Sequence, residues 1–338
     1  YPGEHPVFSA GRPISGWKRL EEYPAHLPSE ARGEIWVADL PEVREGGWNF
    51  RTLYKGEQRL PRARGKGFLP TIGTPWHGDD HQTIHFPEGA MHRWPDLQQA
   101  ELRIIPSAQW AMNILPLESV DEASLTARTA EPCTYQMGKH PHFEKTAWVE
   151  NTLAVLDQPG EWVLNADEGK LYYWPLEETP SEDIVAPELT ELIRVEGDID
   201  YDGPADTPVQ WLKFQGLTFM HSDRRPFHGL SGWGVQHDWE MFDRPTAMVR
   251  LRGAENCTIE RCRFTAGGHT AIRLDLHAQN NRIEGNVIEN IGGAGVLLAG
   301  YGPGTKDVNR NNEVINNHIH HTGQLLWQTP AVFLWQSG

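Results

Sequence analysis

The sequence predicts an all-β fold, a parallel β-helix interrupted by an inserted β-rich domain. The first observation behind this is a recurrence in the last third of the chain. Asn256, Ile259, Cys262, Phe264 and Gly268 align with Asn280, Ile283, Asn286, Ile288 and Gly292, and again with Asn311, Val314, Asn317, Ile319 and Gly323, with internal offsets of 3, 3, 2 and 4 each time. The period is 24 residues and then 31, and the extra residues fall in the Gly/Pro/Asn-rich stretch 301–310, which reads as a longer loop on one coil. The second observation is a short apolar strand closing each copy, at 249–251, 272–274, 296–298 and 332–334. The third is composition: 33 Gly and 25 Pro imply many turns, and 14 Trp supply aromatic platforms.

A unit of about 24 residues with short β-branched strands and no helical period cannot bury its apolar side chains alone, so neighbouring coils must stack. The recurring Asn fits that stacking, because side-chain amides in register bond to one another and to turn backbone. Cys262 takes the position of Asn286 and Asn317 and reads as a buried filler. Phe214, Leu217 and Phe219 form a weaker earlier copy, followed by an insertion from about His221 to Pro245. The chain from 18 to 185 lacks the period and carries hairpin signals such as 162–164, a turn at 167–169, and 171–174. The expected organisation is therefore a coil fragment at 1–17, an inserted β-rich domain at 18–185, and the solenoid at 186–338, with the chain read as a piece of something longer.

The formal charge of −16 disfavours nucleic-acid binding by bulk charge. No apolar run approaches the roughly 20 residues of a membrane-spanning helix, and three cysteines make neither a disulfide framework nor a four-thiolate zinc site. His77, Asp79, Asp80, His81 and His85, like His318, His320 and His321, offer ligand types but match no zinc or calcium signature, so no metal and no cofactor is expected.

Strand alternation assigns Ile272/Leu274, Val296/Leu298 and Val332/Leu334 to the core and the residues between and after them to the solvent face. Two outward columns result: Arg250, Arg273, Leu297, Phe333; and Arg252, Asp275, Ala299, Trp335. A carboxylate, cations and an aromatic surface on one solenoid face suit a glycan groove. Asp275 is the expected catalytic carboxylate, Asp307 in the longer loop its expected partner, and Asp238, with His237, Glu240 and Asp243, competes for that role. Arg250, Arg252, Arg273, His277, Asp238, Trp239 and Trp335 are the expected substrate contacts, with Trp327 a further stacking candidate. Lyase or epimerase chemistry on a uronate, favoured by an exposed arginine column, and non-catalytic glycan binding are the alternatives.

The motifs YPGEHPVFSAG, LPRAR (60–64), LDQPGEWVLNADEGKLYYWP (156–175), VQWLKFQGLTF, GGHTAIRLDLHAQN, GYGPGTKDVNRNN and NNHIHHTG together resemble bacterial right-handed parallel β-helix proteins of the pectin-lyase-like superfamily. The resemblance is greatest to glycoside hydrolase families 120 and 141, in which a β-sandwich-like domain interrupts the solenoid. It implies a secreted or periplasmic enzyme that hydrolyses plant-wall xylosides or fucosides with paired acidic residues. The implied partner is an oligosaccharide or polysaccharide, with neither nucleic acid nor membrane.

Overall fold

The computed structural model describes residues 3–72, 80–139, 142–226, 243–301, 306, 308–335 and 337. Three parallel sheets form the solenoid. One carries the strands Val7–Ser9, Thr218–Met220, Arg263–Phe264, Val287–Glu289 and His318–His320; a second Lys213–Gln215, Thr258–Glu260, Arg282–Glu284 and Glu313–Ile315. The third, called the site sheet below, carries Ile193–Glu196, Ala247–Glu255, Thr270–Gln279, Val296–Ala299 and Val332–Trp335. Its register pairs Arg252 with Asp275, Asp275 with Ala299 and Ala299 with Trp335, as the repeat alignment requires.

The turn residues explain why the period holds. Asn256, Asn280 and Asn311 all have φ between 54° and 57°, the left-handed region that asparagine tolerates better than most side chains. They are turn formers, not the stacked amides that the alignment suggests. Stacking falls instead to the next residue and to the third recurring position. Asn281 Oδ1 accepts from the Cys257 amide (2.9 Å), while Asn281 Nδ2 donates to the Ala254 carbonyl (3.0 Å) and Asn312 Oδ1 (3.0 Å). Asn286 repeats this with the Cys262 amide, the Ile259 carbonyl and Asn317 Oδ1. Cys262 is buried at the head of its ladder, as expected of a filler. The recurring glycine has a steric cause, since a Cβ on Gly292 would lie 2.3 Å from the Gly268 carbonyl oxygen on the coil below.

Apolar residues line the solenoid interior, with Val249, Leu251, Ile272, Leu274, Val296 and Leu298 from the site sheet meeting Ile259, Ile283, Phe264 and Ile288 from the other two. Phe8, Phe219 and Phe264 stack at 5.5 and 4.9 Å along one column. Leu334, expected in the core, is 60% exposed because Val332–Trp335 is the edge strand of its sheet among the described residues.

Val7–Ser9 pairs in parallel with Thr218–Met220, whereas Gly11–Pro13 pairs antiparallel with Ile184–Pro187. The two chain crossings between solenoid and insertion thus lie side by side. The insertion holds a five-stranded antiparallel sheet with its own core around Phe86, Leu102, Ile114 and Leu115. It also holds a sheet in which the expected hairpin, Trp162–Asn165 with Lys170–Tyr173, pairs onward with Trp36–Asp39.

Replacing Asn286 by Ala strips the Cys262 amide and the Ile259 carbonyl of their partner, and urea denaturation should record a loss of about 1–3 kcal/mol. Asn280→Gly, which keeps the left-handed turn, should cost far less. Equal losses in the two variants would contradict the division of labour between the asparagines.

Candidate functional site

Two adjacent strands of the site sheet, Ala247–Glu255 and Thr270–Gln279, place Arg250, Arg252, Arg273 and Asp275 on the face away from the solenoid core. The expectation that these side chains meet solvent fails, because Arg250, Arg273 and Asp275 are all buried. Alternation fixes the side of the strand but not what lies over it, and here the backbone of Asp243 and Arg244 does. Their amides donate to Asp275 Oδ1 (2.8 Å) and Oδ2 (3.1 Å). Arg250 Nη2 (2.7 Å) and Nε (3.0 Å) and Arg273 Nε (2.9 Å) also donate to Oδ2. An Asp275 carboxylate with all these donors has little capacity left for a substrate. Arg273 continues to Thr246 Oγ1 (2.8 Å).

The more accessible groups lie around this hub. Asp243 bridges Arg250 Nη2 and Arg252 Nε, each at 2.6 Å. Burial would raise its carboxyl, but the arginine contacts outweigh burial and hold it below the ordinary range. Glu191 lies on the other side of Arg250, with Oε1 3.7 Å from Nη1 and no hydrogen bond to that oxygen among the described residues. Burial pushes the Glu191 carboxyl up, only partly opposed by Arg250 and Arg194. It lines an open pocket of about 500 Å³ with Thr190, Arg194, Arg225 and Pro245. Two carboxylates on one arginine therefore have opposite tendencies, the pattern that separates an acid from a base. Glu191 escaped the sequence reading because it lies in the stretch that returns the chain to the solenoid. The available signal was its place just before the strand that pairs with Ala247–Glu255.

His277 does not face open solvent. Its Nδ1 lies 2.9 Å from Asp206 Oδ2 and its Nε2 2.7 Å from Glu255 Oε1, so both nitrogens meet carboxylate acceptors. Lys306 Nζ joins Asp206 Oδ1 at 2.7 Å. Burial would raise Asp206, yet Lys306 and His277 together hold it low. Arg252 reaches Glu196 (3.2 Å) and the Tyr201 hydroxyl (2.8 Å). Trp335, at the end of the same column, is half-buried and stacks on Phe333 at 6.4 Å. Trp327 is tied to the insertion through Nε1 and the Gln109 carbonyl, 3.1 Å apart. Asp307, Asp238, Trp239, His237, Glu240, His77 and Asp79 lie outside the described residues.

Removing the Asp275 carboxylate strands two buried guanidiniums. Asp275→Ala should lose about 3–5 kcal/mol in urea denaturation, and a loss below about 1 kcal/mol would contradict its role as the hub.

Comparison with known proteins agrees with this architecture. Residues 33–176 match the GH141 insertion domain, and residues 236–335 match the right-handed beta helix region. No curated protein sequence matches the chain significantly. A solved structure named "Glycoside hydrolase" is similar with a TM-score of 0.73 and 22% identity, over 98% of this chain and 62% of that one. The chain thus spans less than two thirds of that protein's length, and at this identity the likeness is one of fold. The fold is a right-handed β-helix interrupted by an insertion of the GH141 type.

Proposed function

We propose that the protein is a glycoside hydrolase whose bond-cleaving groups sit over the outer face of the site sheet, at Glu191 and Asp243. The observation that carries this reading is their opposed environments on either side of Arg250. Glycosidic cleavage passes through an oxocarbenium-like state and commonly uses one protonated and one ionised carboxyl group. Glu191, raised by burial, protonates the departing oxygen. Asp243, held ionised by Arg252 and Arg250, attacks the anomeric carbon or activates water. Asp275 acts through others as a positioning residue, fixing Arg250 and the backbone at Asp243.

The GH141-type insertion supports a glycan substrate, and plant-wall xylosides or fucosides are the proposed class, met in a secreted or periplasmic setting. Trp335 offers a ring for a sugar face. The arginines that favoured uronate lyase chemistry lose that weight, because Arg250 and Arg273 are buried and committed to Asp275.

The test is incubation with xylan, fucosylated and uronate-rich oligosaccharides, read by mass spectrometry. Products gaining one water per bond are expected, and unsaturated ends without added water would replace hydrolysis by elimination. Because Glu191 must be protonated to act, activity should fall as pH rises through its raised value. Glu191→Gln should remove that alkaline limb and lower kcat/KM by about 100-fold or more. Wild-type rates in that variant would refute the assignment.

A further inference from the structure

A second polar cavity, of about 380 Å³, lies where the insertion meets the solenoid. Its volume is in the range of small-ligand sites, roughly 300–1,000 Å³. Arg51, Arg59, Arg62, Arg64 and Arg103 converge on it from the insertion, and Arg224 from the segment after Thr218–Met220. Among the described residues, only Glu150 and Glu161 line it as carboxylates, and both are already engaged. Glu150 accepts from Arg64 Nε at 2.6 Å, and Glu161 accepts the amides of Arg64 and Asp157 at 3.2 Å. Behind the wall, Glu101 accepts from Arg62 and Arg224, and Asp223 accepts from the Thr52 hydroxyl (2.8 Å) and the amides of Arg51 and Arg224.

Among the described residues, six guanidiniums thus meet two carboxylates in the cavity and two behind its wall, and the donors do not balance. Arg59 Nη1, Arg62 Nε and Arg224 Nη1 are buried with no hydrogen-bond partner among the described residues, although the Arg224 side chain is only 3% exposed. Leaving such donors unmet is costly. Burial, with a smaller push from the neighbouring Arg64, Arg224 and Arg59, brings Arg103 down to about 10 against the pull of Glu150. Burial also raises Glu161 to about 7, which weakens its contribution as a counter-charge at neutral pH. Tying the domains together explains part of the cluster, since Arg59 Nη2 reaches the Gln324 carbonyl (3.3 Å) and Arg103 that of Leu325. It does not supply a hydrogen-bond partner for Arg59 Nη1, Arg62 Nε or Arg224 Nη1 among the described residues, although the Arg62 guanidinium also lies over the Trp162 ring, 5.7 Å from its centroid.

We propose that this cavity is an oxyanion-binding site, separate from the Glu191–Asp243 site, for a small molecule presenting a carboxylate, phosphate or sulfate. Guanidinium forks match the paired oxygens of such groups. The source is an acidic sugar or a free inorganic anion, and binding measurements distinguish the two. Isothermal titration of the full chain with galacturonate, phosphate, sulfate and neutral galactose at constant ionic strength should give a saturable isotherm for at least one charged probe and none for galactose. Galacturonate binding more tightly than the inorganic anions identifies an acidic sugar; the reverse order identifies a free anion. Arg59→Gln and Arg64→Gln, which leave the buried Glu101 pairs intact, should each weaken binding about tenfold, a change of about 1.4 kcal/mol, without altering the circular dichroism spectrum. Failure of every charged probe to saturate in the millimolar range, or isotherms unchanged in both variants, would overturn the proposal.

Discussion

Stacking in register is the constraint on which the rest of this molecule depends. Parallel strands about 4.8 Å apart bring side chains one coil apart in sequence into direct contact. Each column must then be chemically self-consistent. Apolar columns become the core, asparagine columns become amide ladders, and a charged column must find a counter-charge beside it. The pairing of Arg250 with Arg273 and of Arg252 with Asp275 crowds three guanidiniums onto two adjacent strands, of which Arg250 and Arg273 donate to Asp275 while Arg252 pairs with Asp243. Asp275 and Asp243 together make that crowd stable, and the backbone amides of Asp243 and Arg244 complete the Asp275 shell. The same demand for neutralisation that stabilises the sheet also fixes where a second carboxylate can sit.

Much of this architecture was legible in the sequence because the constraint acts locally. Equal offsets between recurring residues are enough to align strands, and the alignment gives the register of Arg252, Asp275, Ala299 and Trp335 directly. The two kinds of asparagine were not separable, because Asn280 and Asn281 are adjacent and differ only in backbone conformation, which the letters do not carry. Exposure is hidden from the sequence for a related reason. The segment that covers Asp275 comes from about 30 residues earlier, in an insertion that breaks the period, so no repeat announces it.

Glu191 and the arginine cavity were harder still. Glu191 acquires its character from burial beside Arg250, about 60 residues later in the chain. The cavity gathers Arg51, Arg103 and Arg224 from separate elements across the junction of two domains. The LPRAR motif contributes Arg62 and Arg64 to it, two positions apart and therefore on one side of an extended chain. Local pattern reveals that pair, but only the fold shows what they face.

Asp275 is a covered hub that straps the chain at Asp243 and Arg244 onto the outer face of the site sheet. Hydrogen exchange at these two amides tests it most directly, since both donate to a buried carboxylate. Protection comparable to that of the strand Thr270–Gln279 is expected in the native protein, with its selective loss in Asp275→Asn. Exchange at the rate of an open loop in the native protein would contradict it.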